Sequence, residues 1–305
     1  MTRTGRLRSA GVVLLVLGLA ACAEQPGSGS SSPDGSAPPR AELPADPASL
    51  VLRVEYVGGL VRADAALGRA PSYSLYADGR LITDGPVAAI YPGPALPSLQ
   101  VQTLDYATVQ DLADRAMAAG VAEDSDLGSP PVADAQSTRF TLGAADGTHV
   151  REVYALTEYV AGGGDLASGL TTEQLAGRAR LRDLVSALDD LGQQRPPEGQ
   201  TPVEPYVAQS VAAIVRPWAA PEGDIAQGLT PEPVPWPGPA LPGEPAGGPP
   251  GQGCVTATGD QAATVLAAAR SATTLTPWST PDGARWSVTF RPLLPDESGC
   301  ADLSD

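Results

Sequence analysis

Lysine is absent from this 305-residue chain: all 19 basic residues are arginine. That bias reads as the base composition of a GC-rich genome rather than as chemistry. Histidine occurs once, at His149. A Ser-His-Asp triad needs its nucleophile on a sharp turn, and no G-x-S-x-G stretch exists to supply one. His149 with Glu152 makes no zinc pair either, because neither a second histidine nor a free cysteine completes a site. Thr148 to Glu152 alternates as a strand, so His149 reads as an exposed strand residue. Aromatic residues make up only 5% of the chain, too few for the ring platforms of sugar sites. Nothing resembles a phosphate-binding loop, a dinucleotide fingerprint or a metal-bound deaminase motif. Positive charge is scarce as well, with a formal net charge of −16. Such a surface is repelled by nucleic acid and anionic lipid head groups, which excludes both as partners and keeps an exported protein soluble. The longest apolar run, from Ala10 to Ala21, falls short of the roughly 20 residues that cross a bilayer.

What is present begins with a basic start (Arg3, Arg6, Arg8), the apolar run, and then Leu19-Ala20-Ala21-Cys22. This is the order of a secretory signal. A cysteine directly after Leu-Ala-Ala resembles the lipobox of bacterial lipoproteins. The resemblance implies that Cys22 receives a diacylglycerol on sulfur and heads the mature chain, lipid-anchored on the extracytoplasmic face of the cell membrane. The competing reading is an ordinary secretory signal with a chance cysteine. Residues 1–21 are thus the signal and residues 22–47 a Gly/Ser/Pro-rich tether with little to bury. Loss of Arg3, Arg6 and Arg8 takes the charge from −16 to −19. The globular part is residues 48–305, with a possible division near 195–205, and about 260 residues suffice for a sizeable core. The remaining cysteines, Cys254 and Cys300, form an even pair in an exported chain and read as one disulfide. Closing that 46-residue span stabilises by roughly 4 kcal/mol on the chain-entropy argument. A catalytic thiol is the alternative.

Three of the Asp-Gly pairs in the globular part lie between strand-like runs. Asp78-Gly79 lies between apolar runs in Tyr73–Ile82, Asp146-Gly147 within Ser137–Leu156, and Asp282-Gly283 within Thr274–Arg291. Each predicts a hairpin, because the tight turn needs positive φ. Leu50–Val57 and Val87–Tyr91 predict further strands, as does Tyr206–Val215. A helix is predicted from Asp105, capped by that residue and stapled by Leu104 onto Val109. It buries Val109, Leu112 and Ala116, and Gly120 ends it. A second starts at a Thr171/Gln174 capping box with a Leu170/Leu175 staple. It buries Leu181, Leu184, Val185, Leu188 and Leu191, and it stops at Gly192. A third covers Asp260–Ala272. The fold class is α+β, an antiparallel sheet of Asp-Gly hairpins carrying about three helices on one face, with one C-terminal disulfide.

The acidic loop with Glu123, Asp124, Asp126 and Asp134 lacks the spacing of a calcium loop and reads as loop-capping carboxylates. The heptapeptide Tyr91-Pro-Gly-Pro-Ala-Leu-Pro97 recurs as Trp236-Pro-Gly-Pro-Ala-Leu-Pro242 inside a Pro/Gly-rich stretch, 217–253, expected to be an ordered surface loop. Both copies suggest polyproline-type segments covering a sheet edge or face. Tyr91 and Trp236 are either anchors onto the chain's own fold or contacts for a partner. With the lipobox, Tyr73–Ile82, YPGPALP and Arg291-Pro-Leu-Leu-Pro295 before Cys300, the chain resembles an uncharacterised family of actinobacterial-type exported lipoproteins. The resemblance implies a compartment and no activity.

These readings lead to a non-enzymatic interaction or binding module of the cell envelope, without cofactor, metal or catalytic residues. Its partners are the membrane, through lipid on Cys22, and an envelope protein or small ligand. The rivals are a carrier of lipid or cell-wall fragments, which needs an apolar pocket, and an Asp/Glu-dependent hydrolase, which needs two carboxylates in a cleft with one pKa raised. Replacing Cys22 with Ala is expected to move the protein from the membrane pellet to the soluble fraction. A mutant that stays in the pellet would defeat the anchor.

Overall fold

The computed structural model describes residues 40–158, 169–193, 202–220, 223, 231–247 and 250–303. The signal, Cys22, most of the tether and much of the proposed division near 195–205 lie outside them.

Strand β1 (Leu50–Gly58) leads into a short helix, α1 (Ala63–Gly68), and the hairpin of β2 (Tyr73–Tyr76) and β3 (Arg80–Asp84). After β4 (Leu99–Thr103) come α2 (Tyr106–Ala119), the hairpin β5 (Gln136–Ala144) and β6 (Gly147–Tyr154), α3 (Thr172–Gln193) and the edge strand β7 (Glu204–Pro205). These strands form a seven-stranded antiparallel sheet in the order β6-β5-β1-β2-β3-β4-β7. The second half supplies β8 (Ser210–Pro217), β9 (Val234–Pro235), β10 (Glu244–Pro245) and β11 (Gly253–Thr258), then α4 (Gly259–Arg270), β12 (Trp278–Ser279) and β13 (Arg285–Pro292). They make a six-stranded sheet ordered β10-β11-β8-β13-β12-β9, antiparallel except for the β9–β12 pair. The fold is therefore α+β, as expected, with two sheets where one was expected and four helices among the described residues.

Local sequence chemistry explains most elements. Gly79 has φ of +89°, and a Cβ there would meet the Leu104 carbonyl oxygen, so only glycine serves at this turn. The Asp105 side chain accepts from Thr108 N–H at 2.8 Å, and Gly120 ends α2 in the left-handed region at φ +88°. Thr171 and Gln174 form the reciprocal capping box at 2.9 and 3.2 Å. The expected stop at Gly192 is not used; α3 runs on to Gln193. No strand forms over Val87–Tyr91. The edge of β3 that it would need is already paired to β4, from Arg80↔Thr103 to Asp84↔Leu99. Residues 86–97 are instead an excursion whose base is closed by Gly85 N–H donating to Ser98 O at 2.7 Å.

Helices α2 and α3 cover one face of the first sheet, burying Val109, Leu112, Ala116, Leu181 and Leu188 against Leu52, Val54, Leu75 and Phe140. A register shift between Leu50 and Leu52 turns Leu50 to the opposite side from Leu52 and Val54. On the second sheet, α4 buries Val265 and Ala269 against Val211, Ala257 and Phe290. The rest of that face is roofed by the chain between β9 and β10, where Trp236 and Leu241 meet Ala213, Val215 and Val255.

The sides of the two sheets turned away from α2, α3 and α4 face a seam. Leu293 joins the second sheet at Ala212 and Ile214, while its neighbour Leu294 joins the first at Tyr76 and Ile82. Arg53 donates to both oxygens of Asp296 at 2.8 and 3.0 Å, and the fully buried Tyr76 hydroxyl donates to Asp296 at 2.6 Å. Arg291, 1% exposed, donates to Glu297 at 2.7 Å and to the carbonyls of Arg69 and Pro292. Burial pulls the Arg291 pKa down, with Glu297 opposing it. Removing the Glu297 carboxylate strands a buried charge, which typically costs about 3–5 kcal/mol. Glu297→Ala is thus expected to lower the urea midpoint sharply. The double variant Arg291→Met/Glu297→Leu is expected to recover at least half of that loss in equilibrium unfolding.

Candidate functional site

The residues singled out by sequence fall in different places. Cys22 lies outside the described residues. Cys254 and Cys300 are bonded, with Cα atoms 6.0 Å apart, and pin β11 to the terminal 3₁₀ turn Cys300–Leu303. His149 stands on β6 with Nε2 3.4 Å from Asp146 Oδ1. The acidic loop after α2 is held from below by two buried arginines: Arg151 donates to the carbonyls of Glu123 and Ser125, and Arg178 to those of Leu127 and Gly128. Its backbone oxygens thus already have cationic donors.

The two aromatic-headed repeats part company. Trp236 packs edge-on to Trp278 with centroids 5.6 Å apart, stacks on Phe290 at 6.3 Å and donates its indole N–H to Pro239 O at 2.6 Å. It is an anchor within its own fold. Tyr91 is 63% exposed, beside Val87 at 69% and Ile90 at 63%. All six residues from Pro86 to Tyr91 are exposed, and none between Gly85 and Thr103 carries a charge. Beyond Tyr91 the segment is clamped. Thr274 N–H donates to Gly93 O at 2.9 Å, Ala95 N–H donates to Ala272 O at 3.1 Å, and Ala95 and Leu96 pack on the α4 core. An uncharged, apolar tip is thereby displayed on a fixed base.

Two neighbouring pockets, both open to solvent on one side, lie on the seam side of the second sheet. One, of about 160 Å³, is polar, and Arg53, Arg69, Arg139 and Arg291 line it together with Glu55, Glu297 and Asp302. The other, of about 350 Å³, is walled by Leu67, Ile214, Ala246, Leu303 and the Cys254–Cys300 disulfide. Leu67 and Leu303 border both. The sequence offered one hint of this seam, the charged residues Arg53 and Glu55 inside a strand. The pairing of Arg53 with Asp296 joins positions too far apart to read along the chain.

A third cleft, about 230 Å³, opens between β2, β3 and the end of α3, lined by Tyr56, Tyr73, Asp84 and Asp189. Tyr73 donates a short hydrogen bond to Asp189, and burial together with that carboxylate pushes the phenol pKa up. Partial desolvation at the exposed end of β3 also raises the Asp84 carboxyl above its usual range, with Arg291 pulling it partly back. Among the described residues this is the cleft where a carboxylate of raised pKa faces a second carboxylate. Asp189 is engaged by Tyr73, which orients it as a hydrogen-bond acceptor.

No family model, curated protein or solved structure matches this chain.

The Asp84 shift has a defined consequence for stability. A folded-state pKa above the unfolded value means that the native state holds its proton more tightly, so ionisation costs stability as pH rises through the folded pKa. Asp84→Asn is expected to melt higher than the parent near about pH 7. The gain should fade to nothing near about pH 3, where both states are protonated. Thermal unfolding across that range checks it, and a gain independent of pH would overturn it.

Proposed function

We propose that this protein is a lipid-anchored, non-enzymatic module of the cell envelope that docks a protein partner through the Pro86–Tyr91 tip. The observation that carries the reading is the display of Val87, Ile90 and Tyr91, each more than 60% exposed, on a base clamped by β3, β4 and the end of α4. Apolar side chains exposed together on a monomer mark an interaction site. Tyrosine is among the residues that dominate binding energy at such sites. A base fixed beforehand lowers the entropy cost of ordering the loop on binding.

Charge favours a protein over a lipid surface as the occupant. Interfacial membrane segments carry Lys or Arg to meet phosphate head groups. The stretch from Gly85 to Thr103 has none and is bracketed by Asp84 and Asp105. The lipobox resemblance supplies the anchor, and the tether supplies the reach from the membrane to a neighbouring envelope protein.

A photo-crosslinking residue placed at Ile90, in cells making the full-length protein, is expected to give a discrete protein adduct that Tyr91→Asp abolishes. The same group at Val150, 59% exposed on β6 at the sheet edge, is the control and should give none. Equal adducts from both positions, or lipid adducts alone from Ile90, would overturn the reading.

A further inference from the structure

The two cavities at the seam form a compound site whose chemistry differs from end to end. The larger, about 350 Å³, is mainly apolar, with walls of leucine, isoleucine, alanine, proline and the disulfide, Ala246 and Ala301 facing into it and Glu244 its one charged residue. That volume lies at the lower end of small-ligand pockets, about 300–1,000 Å³. At about 30 Å³ for each water-sized group it has room for a chain of roughly ten to twelve carbons. The smaller shares Leu67 and Leu303 with it and is lined by guanidinium groups and carboxylates.

The architecture keeps these spaces open. Helix α1 sits directly on β13, where a Cβ on Gly68 would collide with the Thr289 methyl. This close contact fixes the backbone of α1, and the neighbouring Leu67 forms a wall of both cavities. On the far side the disulfide holds the terminal turn, and hence Leu303, against β11.

The polar end is close to electrically balanced. Arg53 pairs with Asp296, Arg291 with Glu297, and Arg139 lies 3.9 Å from Glu55. An anionic head group there would face Glu55, Glu297 and Asp302, and a cationic one would face the arginines. A neutral, hydroxyl-bearing head finds donors and acceptors together.

From this we infer that the seam is a binding site for a single-chain amphiphile with an uncharged polyol head, its chain beside the disulfide and its hydroxyls among the arginine–carboxylate pairs. The site is independent of the Pro86–Tyr91 tip, so either can fail without the other.

The test is calorimetric titration of the purified full chain carrying Cys22→Ala, which removes its own acyl group. The probes are 1-monoacylglycerols of six to fourteen carbons, kept below their aggregation limits. Affinity should rise about fourfold per added methylene, from roughly 0.8 kcal/mol each, and level off at about ten to twelve carbons as the cavity fills. Decanoate and decyltrimethylammonium should bind at least tenfold more weakly than 1-decanoylglycerol. Ala246→Phe, which fills the apolar cavity, should weaken 1-decanoylglycerol at least tenfold with an unchanged circular dichroism spectrum. Ala301→Phe offers the same block from the opposite wall should the first variant misfold. Glu55→Gln should narrow the gap between decanoate and the glycerol ester severalfold. No binding, an affinity that climbs through fourteen carbons, preference for a charged head, or indifference of folded blocked variants would overturn the inference.

Discussion

Two arginine–carboxylate pairs at the seam decide how the halves of this protein are joined. Arg53 and Tyr76 from the first sheet converge on Asp296, and Arg291 from the second sheet reaches Glu297 and the Arg69 carbonyl. Out of water an unpaired charge is costly and a paired one with its hydrogen bonds filled is tolerable, a condition that bears on Arg291 and Glu297 more than on Arg53 and Asp296, whose side chains are 14% and 27% exposed. The guanidinium group suits the task, because its fixed fork of donors can serve a carboxylate and backbone carbonyls at once. For Arg53, burial alone would lower the pKa, but Asp296, Tyr76 and Glu297 outweigh it and the net shift is upward. Its charge is thus stabilised where it stands. For Arg291 the balance goes the other way, which marks this pair as the more demanding of the two.

Directional bonding of this kind fixes registration in a way that apolar packing would not. Leu293 and Leu294 send adjacent side chains into opposite sheets, so the backbone at that point can take only one course between them. The arginine pairs set that course. Where the polar network ends, side chains from α1 and the terminal turn meet the second sheet without filling the volume, and the apolar cavity is the remainder. The polar pocket and the apolar pocket are therefore two sides of one constraint: the seam is held apart by its ion pairs and closed at its end by the disulfide.

Much of the local structure was legible in the sequence because its determinants are local. Asp105, Gly120 and the Thr171/Gln174 box act within four residues of the helix ends they set, and the Asp-Gly turns act within two. The apolar stripe of α3 follows from its period alone. The errors share the opposite character. Val87–Tyr91 looks like a strand, but whether it pairs depends on the edge of β3, and β4 had taken it. Helix α1 is six residues long with no side-chain cap at Arg62, so it carries no local signal and exists because Gly68 lets it lie against Thr289. Two sheets rather than one follow from pairings such as β8 with β13, separated by α4 and four strands. The candidate sites were the least legible part, since Arg53 and Asp296 stand 243 positions apart.

The repeated Pro-Gly-Pro-Ala-Leu-Pro segment shows how one local sequence serves two ends. Proline removes backbone donors, so such a segment can lie across a sheet without demanding a ladder partner. Both copies do so in the layer of α4: Ala95 and Leu96 of the first lie on its core, and Trp236 of the second enters the same cluster. What differs is the aromatic at the head. Trp236 meets Trp278 and Phe290, rings large enough to hold an indole inside the fold. Tyr91 stands 63% exposed at the tip of an excursion with a fixed base. A duplicated covering element that needed only to shield the sheet would bury both heads. The second copy does that work, and the first, anchored by its Gly93–Leu96 portion, is left with an apolar tip that its own fold does not bury.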